Sequence, residues 1–239
     1  MKKETINVYW TAWSAPEEQT SMLLFNSPKK LFKELIKNKT INSKNQTLFS
    51  CPAVKDLTKN LYSVSSPISS KFKYEYNNIV SLNENNLIDL IGDTHPNVSN
   101  FGPMLVYQAY YIFFAEEPLI ARFTNPYFSK TEGYRSTIPG EFDIGKWFRP
   151  YPLQYQMWNN SGIFEIKENE DLFYVEFMTD KNINLIRFDY DEEVQNYADQ
   201  AIMARKIFPS STLNSLYLRF KNSGIRESLI AKIKKNIKP

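Results

Sequence analysis

A single histidine, a single cysteine and four short acidic groups carry most of the chemistry open to this 239-residue chain. His95 sits in Asp93-Thr94-His95-Pro96, a run of turn formers, where it is either a lone general base or a turn residue. One histidine argues against the two-histidine, one-carboxylate iron site and against histidine-rich zinc sites; one cysteine argues equally against structural zinc. Cys51, between Ser50 and Pro52, reads as a small half-buried packing residue rather than a nucleophile. Alone it can close no intrachain disulfide, which points to a reducing compartment. The 7 glycines never fall in a Walker or dinucleotide-binding spacing, and there is no Gly-x-Ser-x-Gly elbow.

The acids fall at Glu116-Glu117, at Glu141 and Asp143, at Glu168, Glu170 and Asp171, and at Asp189, Asp191, Glu192 and Glu193. The third group reads as a hairpin turn and the fourth as a helix start with a favourable negative first turn. Glu141 and Asp143 have no such structural reading. In an extended backbone they share one side, where such a pair binds Mg²⁺ or divides acid and base roles. They are the catalytic candidates. Trp147, Arg149, Trp158 and Arg135 are the binding candidates, and Phe148 and Tyr151 extend the aromatic set. No metal site and no resident cofactor is expected, Mg²⁺ entering only if the pair hydrolyses nucleotides.

These residues need a scaffold. Four aromatic and β-branched runs, Leu153–Trp158, Ile163–Lys167, Leu172–Phe177 and Ile183–Phe188, separated by polar turns, predict an antiparallel meander whose successive strands pair. Further strands are expected at Ile6–Trp13, Leu61–Ser65, Phe72–Tyr76, Leu87–Ile91 and Leu119–Thr124, with Met104–Ala115 as the central buried one. A helix is expected over Lys29–Asn38 with Pro28 at its first position, and a helical turn over Pro52–Lys59. Asp189 and Glu192 look like a capping box for a helix reaching towards Pro209, and Ser210–Phe220 continues helical. The predicted fold is mainly β, an α+β chain: an antiparallel β-sandwich or β-clip-like barrel with a peripheral N-terminal helix and C-terminal helices. Residues 1–190 form the β-rich core domain and 191–239 a helical segment packed on it.

The composition fits a packed core: 42% hydrophobic and 15% aromatic residues. No stretch approaches the ~18–20 apolar residues of a membrane helix, and the N-terminal run after its two lysines is too short and polar for a signal sequence. The expected setting is the cytoplasm of a host cell or a virion. Positive charge is concentrated late: Lys221–Lys238 holds six basic residues against one acid, so the rest of this chain of net +3 carries about −2. Ile225, Leu229, Ile230, Ile233 and Ile237 share a helical face there. The segment is therefore either a docked helix or an arm for a polyanion; few aromatics among its lysines argue against sequence-specific nucleic-acid reading.

The segments CPAVKDLTKNLYSVSSP, GEFDIGKWFRP and ENEDLFYVEFMTDKNINLIRF resemble a family of proteins encoded by tailed phages, notably marine ones, from about Trp10 to about Phe188. That resemblance implies an origin and no particular reaction. Locally, GEFDIGKWFRPYPLQYQMWNNSGIFEIKENEDLFYVEF is similar to the end of the dUTPase-type β-clip domain. The likeness implies that Gly140 and Asp143 match the turn whose aspartate activates water, with Trp158-Asn159 at the following strand end. Glu170-Asp171 replaces the family's Gly-Asp pair, Lys146 and Trp147 stand where its tyrosine is expected, and Tyr134-Arg135-Ser136 is at best a degenerate phosphate motif. The leading functional expectation is a non-catalytic phage-type protein that acts by binding a protein partner or by self-association. The alternatives are a divergent Mg²⁺-dependent hydrolase of the dUTPase type and a carbohydrate- or ligand-binding module using Trp147, Phe148, Tyr151 and Trp158.

Overall fold

A computed structural model of the chain describes residues 4–13, 24–37, 51–75, 78–82, 91–95, 104–129, 135–158 and 161–237. Its organising element is β7 (Met104–Ala115), a strand of 12 residues at the position expected for the central one. Tyr107, Tyr111 and Phe113 point into the main core, whereas Ile112 and Phe114 point into a second interior. A strand that is apolar on both faces must be covered on both, and this sets the layers.

β7 belongs to a six-stranded sheet. One edge pairs with β11 (Pro150–Met157), which carries β9 (Arg135–Thr137) beyond it. The other edge is shared by β1 (Thr5–Trp13) and β6 (Ile91–His95). β1 pairs in parallel with β14 (Asn182–Arg187) at the sheet's end. A five-stranded sheet faces it, in the order β10 (Gly140–Asp143), β8 (Ile120–Thr124), β13 (Asp171–Phe177), β3 (Leu61–Ser65) and β2 (Lys29–Lys30). Trp10, Tyr111 and Phe113 from the first sheet meet Phe123, Phe173 and Phe177 from the second. A third sheet, β12 (Ser161–Ile166), β4 (Ser70–Glu75) and β5 (Asn78–Ser81), adds the stacked pair Phe72 and Phe164.

Helices complete the layers. α1 (Leu31–Lys37) places Leu31 on Leu61 and Tyr174, on the outer side of the five-stranded sheet. α2 (Pro52–Leu57) follows half-buried Cys51 and leads into β3. Of α3 (Glu192–Ile207), α4 (Leu213–Asn222) and α5 (Ile225–Lys235), α3 and α5 cover the six-stranded sheet. There Val194, Ala198, Leu229 and Ile233 pack on Tyr9, Trp13, Phe114 and Phe148. The basic segment is thus a docked helix, with its apolar stripe inward. Its end is stitched to the start of α3: Asp189 N–H donates to Asn236 O at 2.9 Å, Phe188 bridges Ile237, and Lys232 lies 2.7 Å from both Asp191 and Glu193. The mainly β, α+β architecture with a peripheral N-terminal helix and C-terminal helices is as expected. Among the described residues no helix is long and apolar enough to cross a membrane.

The meander is not formed. All four runs are strands, but β11 pairs with β7 and β9, β12 with β4, β13 with β3 and β8, and β14 with β1. Leu172, Phe173, Tyr174 and Val175 are all buried, so β13 needs cover on both faces and a place inside a sheet. The turn before it delivers that. Asn169 takes a left-handed φ of 63°, its N–H donates to Ser66 O, and Ser66 N–H donates to Glu170 O. The chain is thereby passed from the third sheet to the second instead of folding back as a hairpin. Two boundaries also differ. Lys29 and Lys30 pair with Ser63 and Tyr62 as a strand, so Pro28 precedes β2 and is not a helix start. Asp191, not Asp189, caps α3, accepting from Val194 N–H at 3.0 Å.

Candidate functional site

Asp143 ends β10, and its carboxylate organises the turn that follows. Oδ1 accepts the N–H of Leu119 at 2.9 Å and of Gly145 at 3.0 Å, while Oδ2 meets Lys146 Nζ at 2.8 Å. The residue is only 3% exposed. Gly145 is required here because a Cβ would stand 2.1 Å from the Glu117 carbonyl oxygen. The turn over residues 143–146 is therefore pressed against the β7–β8 connection, Glu116–Leu119. Tyr9 anchors that connection from below, its hydroxyl donating to Glu116 Oε1 at 2.5 Å. Burial, with the neighbouring carboxylate, pushes Tyr9 up to about 12; the hydrogen bond from Tyr9, with help from Lys234, holds Glu116 below the usual carboxylate range.

The last two helices close over these turns. Tyr217 of α4 accepts the Asp143 N–H at 2.7 Å. Arg226, in the first turn of α5, donates to Gly145 O at 3.4 Å and to Glu116 O. Between helices and turns lies a cleft of ≈ 650 Å³. Pro118, Tyr217, Leu218 and Phe220 supply its apolar surface, and Lys146, Lys221 and Arg226 face one acid, Glu227. The bond to Asp143 raises the Lys146 pKa, so its charge persists throughout the neutral range. The Lys221 side chain has no hydrogen-bond or ion-pair partner among the described residues. The unpaired Lys221 charge beside the tethered Lys146 and Arg226, above apolar surface, is the cleft's chemical signature.

The remaining candidates are dispersed. Glu141 is exposed and paired with Arg122 at 3.1 Å. Trp147 is buried between Phe142 and Tyr217, with the Arg149 guanidinium 4.6 Å from its ring centre; both border a smaller hollow beside α3. Arg135, at the far edge of the six-stranded sheet, is buried against Glu170 and lies 5.1 Å from the Tyr155 ring centre. Trp158 is 58% exposed and donates to Ser136 Oγ at 3.1 Å. The expected aromatic platform is not there, because Trp147, Phe148 and Tyr151 are all buried. His95 closes β6 opposite Met104; its side chain, Asn159 and Tyr134 lie outside the described residues, as does most of the strand expected at 87–91.

Among the described residues no three His, Cys, Asp or Glu side chains gather as a metal would require. Both Asp143 oxygens and Glu141 Oε2 are committed to amides, Lys146 and Arg122. Lys221, Arg226 and Tyr217 were not singled out by sequence reasoning. The basic C-terminus was the only available signal, and nothing local indicates which of its cations converge with Lys146. Comparison of the chain with protein-family models, curated proteins and solved structures returns no match.

Proposed function

We propose that the protein is a non-catalytic binding protein whose cleft receives an acidic segment of a partner protein. The cleft itself carries this reading: three cations against one carboxylate, over an apolar floor, in a space large enough for several side chains. An acidic segment with interspersed apolar residues satisfies both surfaces, burying apolar area while neutralising Lys221. Resemblance to a tailed-phage family supplies a setting in which the partner is a virion, assembly or host protein. The hydrolase alternative gains no support from the geometry, since the Asp143 carboxylate already accepts three donors and has no position from which to activate water.

Fluorescence anisotropy with a labelled peptide of alternating glutamate and leucine tests the proposal. Binding is expected to weaken as salt rises. Charge reversal by Lys221→Glu, at a side chain with no structural partner, is expected to weaken it about tenfold or more. A peptide that does not bind, or that binds wild type and variant alike, overturns the proposal.

A further inference from the structure

A second hollow, of ≈ 370 Å³, opens where α1, β2, β3 and β13 meet the Tyr127–Ser129 turn. Its chemistry is unlike that of the cleft. Asp171 sits at its base and accepts hydrogen bonds from two hydroxyls, Ser63 and, at 3.3 Å, Tyr174, with Ser129 beside them in the wall. Three chain segments far apart in sequence build this cluster: β3, the Tyr127–Ser129 turn and β13.

The Ser63 and Tyr174 hydroxyls direct their protons at the carboxyl group, leaving serine oxygen lone pairs for an incoming donor. The hydroxyl of Ser65, also in the wall, has no hydrogen-bond partner among the described residues. Lys29 and Asn169 add donors at the rim, and Leu31, Leu35 and Phe128 form an apolar side. An apolar ligand would strip water from the hydroxyls and carboxyl without replacing its hydrogen bonds, at a cost of about 1–3 kcal/mol per group. A strongly charged ligand gains little either. Lys29 offsets Glu34, and burial pushes the Asp171 carboxyl up, towards its neutral form. What fits is a neutral molecule dense in hydroxyls with one C–H face.

We propose that this hollow is a saccharide-binding site, with the Asp171, Ser63, Ser129 and Asn169 polar groups meeting ring hydroxyls and Phe128 and Leu35 meeting the ring's C–H face. The site is independent of the basic cleft and uses none of its residues.

Saturation-transfer NMR on the full chain, with glucose, galactose, mannose, N-acetylglucosamine, N-acetylgalactosamine, maltose and lactose as probes, tests this. At least one sugar is expected to bind. The double variant Ser129→Ala, Asn169→Gly should weaken that sugar about tenfold, the effect of one to two lost neutral hydrogen bonds. Glycine accepts the φ of 63° at position 169, and a melting curve confirms that the variant is folded. Should it not fold, Ser65→Ala is the replacement and carries the same expectation. Trp158→Ala, which removes the exposed indole elsewhere, should bind as wild type does. Silence from all seven sugars, binding that survives the pocket variants, or binding lost with Trp158 overturns the assignment.

Discussion

Two shielded carboxyl groups on strands of the same five-stranded sheet, Asp143 buried and Asp171 half-buried, show that shielding alone does not define what an acid does. Asp143 is held by two backbone amides and the Lys146 ammonium. It fastens one turn to another and leaves the neighbouring cleft to the cations. Asp171 has only hydroxyl donors and a distant Lys29, so desolvation prevails and its pKa rises. The first acid is a structural rivet. The second faces a hollow with hydrogen-bonding capacity to spare.

The sharpest way to separate the two sites is to remove the helix that closes only one of them. Deleting Lys221–Pro239 exposes the surface under Leu229 and Ile233, each worth about 1.5–3 kcal/mol on burial, and cuts the Lys232 link to Asp191 and Glu193. A large drop in melting temperature and loss of acidic-peptide binding are expected. Ile233→Ala, costing about 2–5 kcal/mol, should give a folded protein in which sugar binding is retained. Truncated protein that melts with wild type would show that α5 is not a structural layer.

Next in size is Asp143→Asn. Replacing a carboxylate that accepts two amides and an ammonium should cost about 2–3 kcal/mol, seen as a lower melting temperature in calorimetry. An unchanged melting temperature would break the contrast by giving Asp143 no structural duty.

The smallest effect is expected for Asp171→Asn, and its pH dependence matters more than its size. Because burial raises the Asp171 pKa in the fold above its unfolded value, the folded state holds the proton more tightly. Its contribution is fully present below the unfolded pKa and is lost as pH rises through the folded one. At pH 7 the variant should lie within about 1 kcal/mol of wild type, and wild type should gain relative to it as the pH falls towards 4. Asp191 changes in the opposite sense: burial raises it, but Lys232, the Val194 amide and Asn236 together hold it low, so its contribution is lost on acidification. The difference between wild type and the Asp171 variant, followed by thermal melts across pH, cancels that background. A gap that widens against wild type in acid would reverse the assignment.

Legibility followed the range of the interactions. The apolar, aromatic and β-branched content of β7 and of all four runs between 150 and 188 is a local property, and those strands stand where the pattern put them. Partner choice is not local. It follows from Leu172 to Val175 needing cover on two faces and from Asn169 turning the chain between sheets, which no window of ten residues displays. The same limit governed the sites. Asp143 stood out because its sequence neighbours gave it no role, yet its role depends on Leu119, 24 residues earlier, and on Tyr217, 74 residues later. Asp171 was read as part of a turn, which is correct for its backbone and silent about Ser63, 108 residues before it.

The parallel pairing of β1 with β14 has a consequence for how the chain comes to be folded. β1 lies inside its sheet, and one of its two edges can be satisfied only by residues such as Asn184, 177 positions from Asn7. The other edge waits for β7, some 107 positions on, as the Tyr9–Glu116 contact marks. During synthesis the strand therefore emerges long before either neighbour exists, an apolar ribbon holding Val8, Tyr9 and Trp10 with no native place to go. Contacts this distant make folding slow, on the order of milliseconds to seconds, and leave the nascent chain prone to association at exposed edges. Production in cells should therefore respond to growth temperature and to chaperone supply more steeply than the stability of the finished molecule would indicate.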